Sequence, residues 1–385
     1  MTPGISGGPG GRGAADGGRG GPGEPVPEYA PRVMPIALAP RPAEALAIDV
    51  ARPLVPPGRG RVVCTTVGRG QAAFALAETA ADADVTAWFL DLFPHAAALE
   101  SWVSPPPGLR AVCAADMPAG PYDLAVVPLS RSGEAELTRD ILQACLVHLA
   151  VGGRLVAAID NPRDNWLREQ LAETGETVRV RPATAGDAIA YVVQKTREPA
   201  RIRDFSCEFV FRDRERLLAA FTRPGVFAHR RIDPGARHLL NAVDVAAETR
   251  VLDIGCGSGC VALGLAARDD SVQVHAIDAA ARAVECTRRA AAVNGLGNVG
   301  VSLACAGDVA EPGSFDLALA NPPYYGDFRI AEAFVDTAFR ALAPGGTLLL
   351  VTKQPRWYVE RLPLTWADVA QDVVKQYHLI EAVRP

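Results

Sequence analysis

The chain repeats itself, and the repeat narrows the folds open to it. Arg61-Val62-Val63-Cys64-Thr65-Thr66-Val67-Gly68-Arg69-Gly70 lines up with Arg250-Val251-Leu252-Asp253-Ile254-Gly255-Cys256-Gly257-Ser258-Gly259. Val85-Thr86-Ala87-Trp88-Phe89-Leu90-Asp91 lines up with Val272-Gln273-Val274-His275-Ala276-Ile277-Asp278. Tyr122-Asp123-Leu124-Ala125 then matches Phe315-Asp316-Leu317-Ala318, and Gly152-Gly153-Arg154-Leu155 matches Gly345-Gly346-Thr347-Leu348 with no gap between these last two pairs. An internal duplication accounts for a kept register and a kept apolar pattern together.

Each copy alternates strand and helix. Val251 to Ile254 is a short apolar run ahead of glycines and predicts a buried strand, followed by a small-residue helix over Val261 to Ala267. Val272 to Ile277 predicts the next strand. Asp316 to Ala320 predicts another, stopped by a double proline that cannot continue a ladder. Ala331 to Leu342 has helical period, Pro344-Gly345-Gly346 reads as a turn into a strand over Thr347 to Thr352, and Tyr377 to Val383 reads as a final strand. Such alternation predicts an α/β fold with a mainly parallel sheet and helices on both faces.

Residues 1–30 are rich in glycine and proline and have almost no large apolar side chains, so they cannot offset their ordering entropy and are expected to be disordered. The join between copies is expected near Glu198-Pro199-Ala200, giving one region over 31–199 and another over 200–385. The stretch from Phe205 to Val245 belongs with the second copy and carries Arg212, Arg214, Arg216, Arg223, Arg230, Arg231 and Arg237.

Composition excludes several classes. At 385 residues, 49% apolar and 22% charged, the chain is globular and long enough for two cores. No apolar run reaches the ~18 residues of a membrane span, and without a basic patch, apolar core and cleavage site at the N-terminus no signal peptide is expected. Eight cysteines form no CxxC pair and no zinc spacing with histidine, so no metal is expected, and reduced thiols in a cytoplasmic protein are. A net charge of −5 argues against coating nucleic acid by bulk charge, and leaves room for RNA met on one local patch.

Asp-x-Gly-x-Gly-x-Gly after a strand is a methyltransferase-type turn, distinct from the dinucleotide Gly-x-Gly-x-x-Gly. Gly255, Gly257 and Gly259 let backbone approach a ligand with no Cβ in the way. Asp253 ends the strand where a ligand ammonium can be met, Asp278 ends the next strand where a carboxylate takes both ribose hydroxyls, and Asp308 sits where enzymes with such a turn contact the adenine amine. Cofactor contacts are therefore expected at Asp253, Gly255, Cys256, Gly257, Gly259, Asp278, Asp308 and Asn321.

Asn321-Pro322-Pro323-Tyr324 supplies the acceptor side. An exocyclic amine on a purine is a poor nucleophile because its lone pair is delocalised. The Asn321 side-chain carbonyl and the Pro322 backbone carbonyl suit accepting both N–H hydrogens, and Tyr324 offers a flat face for stacking. Asn321, Pro322 and Tyr324 are thus the expected catalytic residues; a base lying in a helix must be flipped out to reach them. Lys353, Arg356 and Trp357 lie on the same rim, either as substrate contacts or as a solvated loop. In this order the two motifs read as S-adenosylmethionine-dependent methyl transfer to an amino nitrogen.

The second half resembles the "methyltransferase small" domain, and the whole arrangement is similar to duplicated bacterial rRNA guanine-N2 methyltransferases. The lead-in from Pro224-Gly225-Val226-Phe227 to Asp233-Pro234-Gly235 is part of that likeness. The resemblance implies two tandem Rossmann-like methyltransferase folds of the mainly parallel seven-stranded type, the N-terminal copy degenerate. It implies S-adenosyl-L-methionine as cofactor and ribosomal RNA or a ribosomal subunit as partner. The family usually has Phe-His where Tyr324-Tyr325 stand, and Asn where Lys353 stands. The amine motif is shared with adenine-N6 and protein-glutamine-N5 methyltransferases, which are the alternatives, together with a non-catalytic RNA-binding protein.

Overall fold

The computed structural model describes residues 39–385 except 66, 67, 69, 81, 184, 185, 306, 307, 310 and 324–327. The tail expected over residues 1–30 lies outside the described residues. Among the described residues no helix is long and apolar enough to cross a membrane.

Two sheets of seven strands carry the fold. The first comprises β1 (Arg61–Thr65), β2 (Asp84–Phe89), β3 (Leu109–Cys113), β4 (Tyr122–Leu129), β5 (Leu149–Ile159), β6 (Val178–Pro182) and β7 (Ile189–Gln194), in the order β3-β2-β1-β4-β5-β7-β6. After a hairpin of β8 (Cys207–Asp213) and β9 (Arg216–Thr222) come β10 (Arg250–Ile254), β11 (Gln273–Asp278), β12 (Val299–Leu303), β13 (Phe315–Ala320), β14 (Leu342–Thr352), β15 (Ala367–Val374) and β16 (Tyr377–Val383). Their order, β12-β11-β10-β13-β14-β16-β15, repeats the first strand for strand. In both, six strands run in one direction and one is reversed, β7 in the first sheet and β16 in the second.

The central strands are apolar because both faces are covered. Val251, Leu252 and Ile254 are all buried, and every residue of the helix after the glycine turn, α7 (Cys260–Ala266), is buried as well. Small side chains there let helix and sheet approach closely. The repeat also reaches further than the sequence match, since α1 (Pro42–Ala51) packs on β5 and on α2 (Gln71–Thr79) as α6 (Pro234–Ala242) packs on β14 and α7.

Two expectations are corrected. Pro344-Gly345-Gly346 is not a turn between helix and strand; β14 already starts at Leu342, and the pairing jumps from Phe315↔Leu342 to Leu317↔Thr347, so these residues form an irregularity within the strand. The alignment of Asp91 with Asp278 is two residues out. Thr65 pairs with Trp88 as Ile254 pairs with Ile277, which places Phe89, not Asp91, at the position of Asp278.

The copies are joined by backbone and by charge. Leu92 N donates to Ala279 O at 2.9 Å and Ala281 N to Leu90 O at 2.9 Å, an antiparallel bridge between the two β–α connections. Arg223, just after β9, pairs with Asp116 of the first copy at 2.6 Å and Glu285 of the second at 2.5 Å.

Candidate functional site

Three adjacent strands end within one residue of the same rung. Ile254 of β10 is the partner of Ile277 on β11 and of Ala320 on β13. Gly255, Asp278 and Asn321 follow these three residues, so they leave the sheet side by side at its carboxyl edge. This edge is where ligands bind in parallel α/β sheets.

The glycine turn is anchored underneath and open above. Gly255 N and Cys256 N both donate to Ile277 O, at 2.8 and 3.0 Å. A Cβ on Gly255 would come within 2.7 Å of the Phe334 ring, and one on Gly259 within 2.6 Å of Thr287 Cγ2. Gly257, at φ +56, has nothing within 4 Å of that position. Packing therefore demands glycine at the turn's two ends, while its middle faces free space. Cys256 contributes backbone only: its side chain is buried, with Sγ 3.6 Å from Thr287 Oγ1. Thr287 is fully buried on α8 (Ala281–Val293), and its hydroxyl donates to Gly257 O at 3.2 Å. Its part in holding the turn was not foreseen from the sequence.

The three carboxylates expected at the cofactor site have different surroundings. Asp253 is 3% exposed; its Oδ2 accepts from Ala262 N at 3.1 Å, and burial pushes its pKa up to about 7. Asp278 is half-buried and accepts from Gly257 N through Oδ2 and from Ala280 N through Oδ1, both at 2.8 Å. Burial, with the nearby Asp91 adding to it, raises its pKa to about 6. Asp308 is exposed on the loop after β12 and borders a small cavity also walled by Leu252, His275, Ile277, Val309, Glu311 and Phe315.

On the acceptor side, Asn321 Nδ2 donates to Asp233 Oδ2 at 2.8 Å. The same oxygen caps α6, accepting from Gly235 N at 2.6 Å and Ala236 N at 3.1 Å. Asp233 precedes the proline that opens α6, and nothing in the sequence ties it to a residue 88 positions on. Pro322 is buried beside Asn321; Tyr324 lies outside the described residues. Of the rim residues, Lys353 sits 4.8 Å over the Tyr377 ring, Arg356 pairs with Glu360 at 2.8 Å, and Trp357 stacks in parallel on Phe328 at 5.5 Å.

The corresponding edge of the first copy is filled. Phe89 stands at the Asp278 position, 1% exposed, with its ring 3.2 Å from where a Cβ on Gly70 would lie; the Trp102 ring is 3.0 Å from that point. Cys64 occupies the Asp253 position, and a carboxylate comes instead from α1, where buried Glu44 accepts from Ala72 N at 3.1 Å. β4 runs on through Pro128-Leu129, where β13 stops ahead of Asn321.

The chain matches the family described as Methyltransferase small domain over residues 218–380. It is 30% identical over 241 residues to Ribosomal RNA small subunit methyltransferase C of Ectopseudomonas mendocina, covering 61% of this chain and 71% of that protein. Against the protein of the same name from Chromohalobacter salexigens it is 38% identical over 152 residues, which covers 36% of this chain and less than half, 44%, of that relative. Its fold superimposes on a T. thermophilus 16S rRNA N2 methyltransferase solved in complex with AdoMet and guanosine, with a TM-score of 0.73, 23% identity, and coverage of 90% of this chain and 92% of that one. With the doubled seven-stranded sheet and the alignment that runs through most of the Ectopseudomonas protein, the chain belongs to the ribosomal RNA small subunit methyltransferase C family.

Proposed function

We propose that this chain transfers a methyl group from S-adenosylmethionine to N2 of a guanine in ribosomal RNA. The observation that carries the reading is the shared rung: a turn open to a ligand, a carboxylate and an amide acceptor leave three neighbouring strands together. The relatives' names and the T. thermophilus complex point the same way.

The residues present fit the cofactor. Gly257 leaves space for backbone to approach it, and Asp278 has lone pairs left for a ribose diol after its two backbone bonds; Asp308 is assigned to the adenine amine. Asp253 is assigned to the ammonium of the amino-acid end. Bound there, S-adenosylmethionine supplies an electrophilic methyl group on a sulfonium that leaves as a neutral thioether.

Asn321 Oδ1 and the Pro322 carbonyl accept the two hydrogens of the guanine amine, which turns the nitrogen lone pair toward the methyl carbon. Transfer there would form the nitrogen–carbon bond as the carbon–sulfur electron pair returns to sulfur. The positively charged amine that results is acidic and gives its proton to solvent, so no general base is required. We assign this chemistry to residues 200–385, and to residues 31–199 a role in orienting RNA. Tyr324 is assigned to stacking on the base.

Incubating the full chain with methyl-labelled cofactor and ribosomal RNA, small subunits or total protein, then digesting the product, tests the proposal. Label in N2-methylguanosine is expected. Label in N6-methyladenosine or in methylglutamine would move the chemistry to another acceptor, and absence of label in every fraction would sink it.

A further inference from the structure

We infer that Asp233 is a positioning residue for Asn321: it decides which end of the amide faces the acceptor amine, and Gly235 holds that amide in plane. The inference rests on the proposed reaction for its meaning, and on geometry alone for its substance.

A side-chain amide has one end that donates and one that accepts, and only the accepting end serves an amine that must give up its hydrogens. Asp233 Oδ2 already takes hydrogens from Gly235 N at 2.6 Å and Ala236 N at 3.1 Å, so it is an acceptor. The group 2.8 Å away on Asn321 must then be its NH2 end. Reversing the amide would set oxygen against oxygen at that distance. Oδ1 is thereby left as the end available to a substrate.

The third contact restricts the plane of the amide. A Cβ placed on Gly235 would lie 2.9 Å from Asn321 Oδ1, 3.0 Å from Nδ2 and 2.7 Å from Asp233 Oδ2. The amide therefore lies flat against a residue that has no room for a side chain. One turn of backbone, Asp233-Pro234-Gly235, caps α6 and orients the amide just past β13 at once. Proline at the first helical position fixes φ, so the aspartate is held before substrate arrives.

Capping and orienting are separable by substitution. Serine is also a good N-cap, but its hydroxyl is too short to keep the bond to Asn321; asparagine can keep both. The full-length chain and its Asp233→Ser, Asp233→Asn, Asn321→Ala and Asp233→Ser/Asn321→Ala variants are to be compared in single-turnover methyl transfer at saturating RNA, with cofactor affinity and thermal midpoint alongside. Asp233→Ser is expected to slow transfer by about tenfold or more at unchanged cofactor affinity and midpoint, and to add less than about twofold once Asn321 is alanine, because residues acting as a unit are non-additive. Asp233→Asn should retain most of the rate. An equal loss from Asp233→Ser in both backgrounds would overturn the inference.

A second readout does not depend on activity. The chain has six asparagines, so selective 15N labelling gives few side-chain amide pairs, and the pair missing in Asn321→Ala identifies its own. That pair is expected to shift and exchange faster in Asp233→Ser; if it is unmoved, Asp233 does not orient Asn321. Should the unaltered chain methylate no RNA, the reaction assignment fails, and the amide resonances still decide the orientation.

Discussion

Arg282 on α8 meets Asp140 on α4 (Ala135–His148) at 2.6 Å, and the guanidinium is 3% exposed. It also donates to Pro224 O at 2.8 Å and Ala115 O at 3.1 Å, so one side chain ties the second copy's helix to the first copy and to the lead-in. Removing the carboxylate strands a buried charge. Asp140→Ala is expected to lower stability by about 2–4 kcal/mol in urea unfolding, more than an exposed ion pair contributes. A loss below about 0.5 kcal/mol would show that the pair is solvated in solution.

Asp278 holds the turn as well as the proposed ligand, so two substitutions are needed. Asp278→Ala should weaken cofactor binding by about 1.5–3 kcal/mol by calorimetry, the range of a charged hydrogen bond. Asp278→Asn keeps one acceptor for Gly257 N or Ala280 N and should lose less. Because burial raises this carboxyl to about 6, affinity should also decline as pH falls through 6. Affinity independent of pH between 5 and 8 would remove Asp278 from the ribose.

Asp253 gives a stability effect of definite sign. The folded chain keeps its proton up to about pH 7, whereas an unfolded aspartate releases it near ~4. Between these values the folded state carries more protons, so this residue makes stability fall as pH rises, and the loss is complete above about 7. Asp253→Asn retains an acceptor for Ala262 N without the charge. It should be more stable than the parent at pH 8 by on the order of 2 kcal/mol, with the difference shrinking toward pH 5, and it should bind cofactor less well. A stability difference equal at both pH values would place the carboxylate in a wetter site than its burial indicates.

Much of the second sheet was legible because its strands are short apolar runs bounded by glycine or proline. Tyr377–Val383 appears where expected, and β13 ends at Ala320, just before Asn321 and the double proline. The equation of Asp91 with Asp278 failed for a definite reason. Sliding a strand by two residues keeps every side chain on its own face, so pattern cannot detect the slip and only the pairing partner does. β15 escaped notice because it is an edge strand with mostly exposed residues, and Asp233 because its partner Asn321, just past β13, is distant in the chain. The hairpin of β8 and β9 was hidden under a run of arginines that read as charge.

The filled edge of the first copy leads to the last expectation, one cofactor per chain. A ribose at that edge would need the space that Phe89 occupies, and the Trp102 ring crowds Gly70 at the same point. Glu44 completes the helix N-terminus of α2 from within, where the second copy uses Asp253 on its strand. Restoring the carboxylate by Phe89→Asp should therefore not create a second site; it should destabilise the chain, since a charge would be buried without a partner. Calorimetric titration of the full chain is expected to give a stoichiometry of one, abolished or strongly weakened by Asp278→Ala with no weaker site surviving beneath it. Two cofactors per chain, or residual saturable binding in Asp278→Ala that Phe89→Asp strengthens, would show that the first copy still binds.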